Sequence, residues 1–71
     1  MEIFIERFKL LRKQKNLTQK QLAENLNMSE RCIRSYEINQ RKPTFESAIK
    51  IAEFFNVSLD YLAGREDTPG M

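Results

Sequence analysis

Thr18-Gln19-Lys20-Gln21-Leu22-Ala23-Glu24-Asn25-Leu26-Asn27-Met28-Ser29-Glu30-Arg31-Cys32-Ile33-Arg34-Ser35-Tyr36-Glu37 decides the reading of this chain. Two short helices meeting at a tight turn are written into it. Ala23 puts a small side chain where a second helix presses close, and Asn27 puts a turn residue where the chain reverses. Leu22, Leu26, Met28, Ile33 and Tyr36 fall at the positions that face a shared core.

The local punctuation agrees. Thr18 is an N-cap with Gln21 three residues later, the spacing of a capping box, and Leu17 before the cap staples against Leu22. Asn27 tolerates the left-handed conformation that a helix C-terminus demands. Ser29 caps the following helix, and Glu30 favours its positive end.

Outward from this pair, three more helices are readable. Phe4, Phe8, Leu11 and Lys15 lie at i, i+4, i+7 and i+11, so the first helix carries an apolar face that ends at Lys15-Asn16. Asn39-Gln40-Arg41-Lys42-Pro43 reads as a loop, since Pro43 disfavours helix just before it. Thr44 caps a fourth helix whose apolar stripe is expected to be Phe45, Ala48, Ile49, Ala52 and Phe55. Asn56 repeats the Asn C-cap and Ser58 caps a fifth helix, from which Leu59 and Leu62 return to the core. Gly64 stops it. The expected division is a folded domain over residues 1–63 and a flexible polar tail over 64–71. No strand pattern, repeat or low-complexity segment is evident.

Composition bounds the function. Seventy-one residues make one small domain, which buries only about 60% of its unfolded surface. One core of that size supplies roughly 3–5 kcal/mol. No apolar run is long enough to span a bilayer, and Met1 does not open a signal-peptide pattern. A single cysteine excludes an intrachain disulfide and suits a reducing cytoplasm, where the protein is expected. With no histidine and one cysteine, the common zinc sites and nucleophile–base pairs cannot be assembled. No cofactor, metal or catalytic activity is expected.

The net charge is only +2, but it is unevenly placed. Residues 1–20 hold Arg7, Lys9, Arg12, Lys13, Lys15 and Lys20 against Glu2 and Glu6. Residues 30–43 hold Arg31, Arg34, Arg41 and Lys42 against Glu30 and Glu37. Beyond residue 43 the balance reverses, with Lys50 and Arg65 against Glu46, Glu53, Asp60, Glu66 and Asp67. Such polarity suits one face on phosphates and another turned away. On charge alone, nucleic acid and an ordinary solvated helical surface are equally open.

The opening pair of helices has the layout of a helix-turn-helix, whose second helix enters the DNA major groove. Arg12, Leu17-Thr18-Gln19, Leu22-Ala23, Met28-Ser29, Ile33, Tyr36-Glu37, Arg41-Lys42-Pro43 and Val57-Ser58-Leu59-Asp60 carry a wider resemblance. Together they resemble the phage repressor/Cro-type helix-turn-helix family, also called the xenobiotic-response-element family of bacterial regulators. The resemblance spans residues 6–63 and implies an all-α, five-helix lambda-repressor-like DNA-binding domain. Two positions depart from the pattern. Asn27 stands where the family favours Gly, and Ile38 where many members have Asn before a Gly, so a backbone-anchoring contact is expected either to be missing or to move to Asn39.

The resemblance assigns base reading to Ser29, Glu30, Arg31, Arg34 and Ser35. Arg31 can fork onto guanine O6 and N7, and Glu30 can accept from cytosine N4. The plain alternative is a Glu30–Arg34 surface pair at i, i+4. Phosphate contacts are assigned to Thr18 and Gln19 at a helix N-terminus, and to Asn39, Arg41 and Lys42 in the loop. Arg12 and Glu37 are implied to pair and tie the first helix to the end of the third. Cys32 reads as a small filler beside the second helix rather than a redox switch.

These expectations converge on a transcriptional regulator of double-stranded DNA, of bacterial or phage origin, that represses by occluding an inverted-repeat operator. A homodimer is expected, formed on DNA through the C-terminal end around Leu59, Tyr61 and Leu62. No small-molecule effector and no membrane partner are expected. The alternative is an antitoxin or immunity-type protein whose helix-turn-helix domain also binds a protein. A module that kept the fold but lost DNA binding is disfavoured by Arg31, Arg34, Arg41 and Lys42.

Overall fold

Each helix of this chain ends on a residue in the left-handed backbone conformation. Asn16, Asn27, Asn39 and Asn56 have φ of 56°, 56°, 63° and 57°, and Gly64 has 82°. Behind each, an amide reaches back to a carbonyl of the preceding helix: Leu17 to Arg12, Met28 to Ala23, Gln40 to Ser35, Val57 to Ala52 and Arg65 to Asp60. This reversal satisfies carbonyls that the helix itself leaves open. Asn accepts φ near +56° at lower cost than most residues because its short amide tolerates αL.

Three of these ends share a three-residue joint: Asn16-Leu17-Thr18, Asn27-Met28-Ser29 and Asn56-Val57-Ser58. The Asn closes one helix, the apolar residue turns toward the core, and the hydroxyl opens the next. Thr18 Oγ1 accepts from Gln21 N at 3.0 Å while Gln21 Oε1 accepts from Thr18 N at 2.9 Å, completing the capping box. Ser29 and Ser58 cap through Cys32 N and Tyr61 N, and Thr44 does the same through Ser47 N.

The computed structural model describes residues 2–68. The elements are α1 (Glu2–Gln14), α2 (Gln19–Leu26), α3 (Glu30–Glu37), α4 (Phe45–Phe55) and α5 (Leu59–Ala63). No strand occurs among the described residues. The fold is therefore the expected all-α arrangement of five helices in the expected order. No helix among them is long and apolar enough to cross a membrane.

The core is assembled around Phe8, which is fully buried. Its ring stacks on Phe4 at 5.4 Å and meets Tyr36 and Phe55 edge-on at 6.0 and 6.4 Å. One aromatic side chain thereby joins α1, α3 and α4. Leu22, Ala23 and Leu26 bury one face of α2 against Ile33 and Tyr36 of α3. The small Ala23 side chain lets the two helices approach, as its placement in the sequence implied. At the far side α1 and α5 come close enough that a Cβ at Gly64 would lie 2.8 Å from Ile3.

Two expectations about apolar faces are corrected. Phe45 is 73% exposed, whereas Ile51 is fully buried. At 100° per residue the buried arc of α4 centres on Ala48, Ile51, Ala52 and Phe55, and Phe45 stands at its edge in the first turn. Ile49, also placed in the expected stripe, is only half-buried. Tyr61 and Leu62 are buried and Leu59 is half-buried, so the surface expected for self-association is largely part of the core. A short amphipathic helix has to spend its apolar residues inward before any remain for a partner.

The chain leaving α5 is tied back by Arg7. Its guanidinium donates to the carbonyls of Tyr61 and Glu66 and lies 4.1 Å from the Tyr61 ring centroid. Ser58 Oγ donates to the Glu66 carboxylate at 3.3 Å. The expected tail over 64–71 is thus described as far as Thr68, and residues 69–71 lie outside the described residues.

Candidate nucleic-acid interface

The orientation of α3 is set from beneath. Ile33 and Tyr36 are buried, and Glu37, its last residue, is only 7% exposed. Burial pushes the Tyr36 phenol above its ordinary pKa, with Cys32 acting in the same direction, so the ring stays neutral under any ordinary condition. Opposite this buried side, Glu30, Arg31 and Arg34 are exposed.

Glu37 is held by three donors. Arg12 Nε and Nη2 fork onto its two oxygens at 2.7 and 3.1 Å, and Gln19 Nε2 donates to Oε1 at 3.1 Å. Arg12 Nη1 also donates to the Leu17 carbonyl at 2.8 Å. A buried carboxylate is tolerable only when paired and hydrogen-bonded, and here it is both. The network links α1, the α1–α2 joint, the start of α2 and the end of α3.

Around this frame the sequence-predicted residues fall into two groups. Ser29, Arg31, Ser35 and Arg41 line one shallow recess with Cys32 and Gln40. Arg31, Arg34 and Ser35 line a second with Ile38 and Gln40. The Arg41 guanidinium lies 3.9 Å from Cys32 Sγ, so the loop folds back toward α3. Cys32, half-buried, sits at this recess and beside Tyr36 rather than against α2 alone. Lys42 is exposed just beyond Arg41. The Glu30–Arg34 surface pair does not form: Arg12–Glu37 is the ion pair among the described residues.

Thr18 and Gln19 stand at the start of α2, the helix end to which the phosphate contacts are assigned, and their side chains are engaged within the protein. The Thr18 hydroxyl is occupied as a cap, and the Gln19 amide is turned inward onto Glu37. Ser29 is likewise a cap, accepting from Cys32 N. Asn39 carries the left-handed turn that follows α3. Gln40 and Ile38 share the recesses with the expected residues but were not singled out as site residues in the sequence. Only the place of Ile38, the C-cap two helical turns beyond Arg31, and of Gln40 two residues after it hinted at this. Among the described residues no group of His, Cys, Asp or Glu side chains could hold a metal ion.

The helix-turn-helix family profile matches residues 8–62. Over 60 residues the chain is 40% identical to an uncharacterized HTH-type transcriptional regulator, YqaE, of Bacillus subtilis, covering 84% of this chain and 52% of that protein. It is 42% identical over 64 residues to the HTH-type transcriptional activator BcrR of Enterococcus faecalis, covering 90% of this chain and 31% of that one. It is 38% identical over 60 residues to the cryptic phage CTXphi transcriptional repressor RstR of Vibrio cholerae, covering 84% and 54%. The chain thus spans about half the length of most of the curated relatives it matches. No solved structure matches it.

Proposed function

The chain belongs to the Cro/repressor-type helix-turn-helix family, and from that membership we propose that it binds double-stranded DNA, lays α3 in the major groove and regulates transcription. The observation that carries this reading is the division of α3. Ile33, Tyr36 and Glu37 are locked inward, while Arg31 and Arg34 are exposed on the other side, Arg31 in one recess with Arg41, and Lys42 is exposed next in the chain. A helix held that firmly, with its cations outward, suits a groove lined by phosphates.

Ser29, Glu30, Arg31, Arg34 and Ser35 are the proposed base readers, with Arg31 forking onto guanine and Glu30 accepting from cytosine N4. Arg41, Lys42 and the Asn39 turn are proposed to grip phosphates on one side. On the other, Thr18 and Gln19 are proposed to act through the helix start rather than through their side chains, which are already engaged. The first-turn N–H groups there suit a phosphate oxygen.

The proposed output is repression by occlusion of an operator; among the relatives, RstR is a transcriptional repressor. Binding as a homodimer to an inverted repeat is part of the proposal. The surface proposed for pairing is the apolar groove lined by Phe4, Pro43, Phe45, Leu59, Leu62 and Ala63, which keeps Leu59 and Leu62 of the expected surface and adds the exposed Phe45.

Electrophoretic shift with random and selected duplexes tests the reading. Binding of both, with selected duplex favoured and affinity falling steeply with salt, is expected. No shift with either at low salt would overturn it.

A further inference from the structure

Ile38 is 55% exposed at the end of α3 and takes no part in the hydrophobic core. The other large apolar side chains left exposed among the described residues lie elsewhere. Ile3 packs at Gly64, Leu10 stands on α1, and Phe45 borders the α4–α5 groove. Ile38 alone shares a recess with Arg31, Arg34, Ser35 and Gln40. Positions 31, 34 and 38 are spaced i, i+3 and i+7, so its side chain continues the arginine stripe down one face of the helix. An apolar group at the end of a cationic reading stripe has one apolar partner on a base edge. That partner is the C5-methyl of thymine, the only such group displayed in the major groove.

We infer that Ile38 is a specificity-determining residue that packs against a thymine methyl beside the bases read by Arg31 and Arg34. The inference rests on the proposed placement of α3 in the major groove. The flanking guanidinium groups bring the duplex to this face, and the isoleucine has neither donor nor acceptor with which to read any other feature of a base pair. Closing one methyl group away from water favours thymine by about fourfold. That is a modest preference, confined to one position in each half-site.

Deoxyuridine isolates the effect, because it removes the methyl and leaves every hydrogen-bonding atom in place. A duplex selected from a random pool by the wild-type protein is resynthesised with each thymine replaced in turn. The wild-type protein is expected to lose about fourfold at one thymine per half-site. Ile38→Ala, whose site is exposed and whose fold is checked by its melting curve, should bind the thymine and deoxyuridine duplexes equally at that position. Insensitivity of the wild-type protein to every replacement overturns the inference and leaves DNA binding intact. So does an Ile38→Ala protein that keeps the full methyl dependence, or that weakens on all duplexes alike. Failure of the wild-type protein to select any duplex overturns the inference together with the reading beneath it.

Discussion

Arg12 of α1 and Glu37 of α3 meet in a two-pronged contact, Nε to Oε2 at 2.7 Å and Nη2 to Oε1 at 3.1 Å, with side chains 14% and 5% exposed. The pair stands where the last turn of the proposed reading helix touches the first helix of the fold. It therefore sets the direction of α3 as well as the closure of the core. Replacing such a pair with apolar residues is often neutral, whereas removing one partner strands the other charge in a poorly hydrated site.

Arg12→Ala and Glu37→Ala are each expected to cost about 3 kcal/mol in urea melts near pH 7. That is most of the roughly 3–5 kcal/mol available to a core this small. The double variant should cost less than the sum by about 1–3 kcal/mol, since no stranded charge remains. Strict additivity would mean that the two groups are not coupled.

Asn27→Ala and Asn56→Ala should each lose about 1 kcal/mol, because alanine at φ near +56° meets a steric cost that asparagine largely avoids. Asn27→Gly and Asn56→Gly should melt close to the parent, with relief of backbone strain offset by the freer unfolded chain. Equal losses for Ala and Gly would point to a role for the amide side chain itself.

The helix starts and two of the Asn ends are legible in the sequence because each is decided within three or four residues, the starts by a capping hydroxyl and the ends by a residue that tolerates αL. Thr18, Ser29, Thr44 and Ser58 all cap as their spacing implies. Asn16 and Asn39 are legible only as a polar helix end and the start of a loop, because their positive φ belongs to the backbone turn that each closes. Placement of Phe45 and Gln19 was not legible. Phe45 obeys helical spacing with Ala48 and Ala52, and only the neighbouring helices decide on which edge of the arc water begins. Gln19 turns inward because Glu37, eighteen residues away, needs a third donor.

Truncation should separate the two ends of α4. Ile51→Ala opens a cavity in a fully buried site and is expected to cost about 2–5 kcal/mol. Phe45→Ser removes a side chain already in water and should stay within about 0.5 kcal/mol of the parent. A large loss at Phe45 in dilute protein would require a partner already present under the conditions of the melt.

Lys42 and Arg31 should differ in kind on DNA. Lys42→Ala is expected to weaken all sequences alike and to lower the slope of log K against log salt by about 1. Arg31→Ala should cost about 1–3 kcal/mol on the selected site and relax preference at one base position. The pair of titrations, run on selected and random duplexes over a range of salt, distinguishes a phosphate grip from a base contact. A uniform loss on Arg31→Ala would remove it from the base readers.

Dimeric binding is expected from the shortness of the reading helix. One helix of eight residues reads few base pairs, so operator-level preference calls for two copies. Two-fold pairs of such domains place their reading helices about 34–36 Å apart, or roughly 10–10.5 base pairs. Sites selected from a random pool are therefore expected to be inverted repeats with that spacing, bound by two protein chains in analytical ultracentrifugation. Pairing through the groove beside Phe45 makes a further demand. Phe45→Glu should leave helicity and single-site affinity unchanged while abolishing cooperative filling of the second half-site. Because Phe45 is 73% exposed in the single chain, such a loss cannot be ascribed to a damaged core. Selected sites lacking symmetry, each holding one protein chain, would refute the dimer. Symmetric sites still filled cooperatively by the Phe45→Glu protein would instead refute only this groove as its interface.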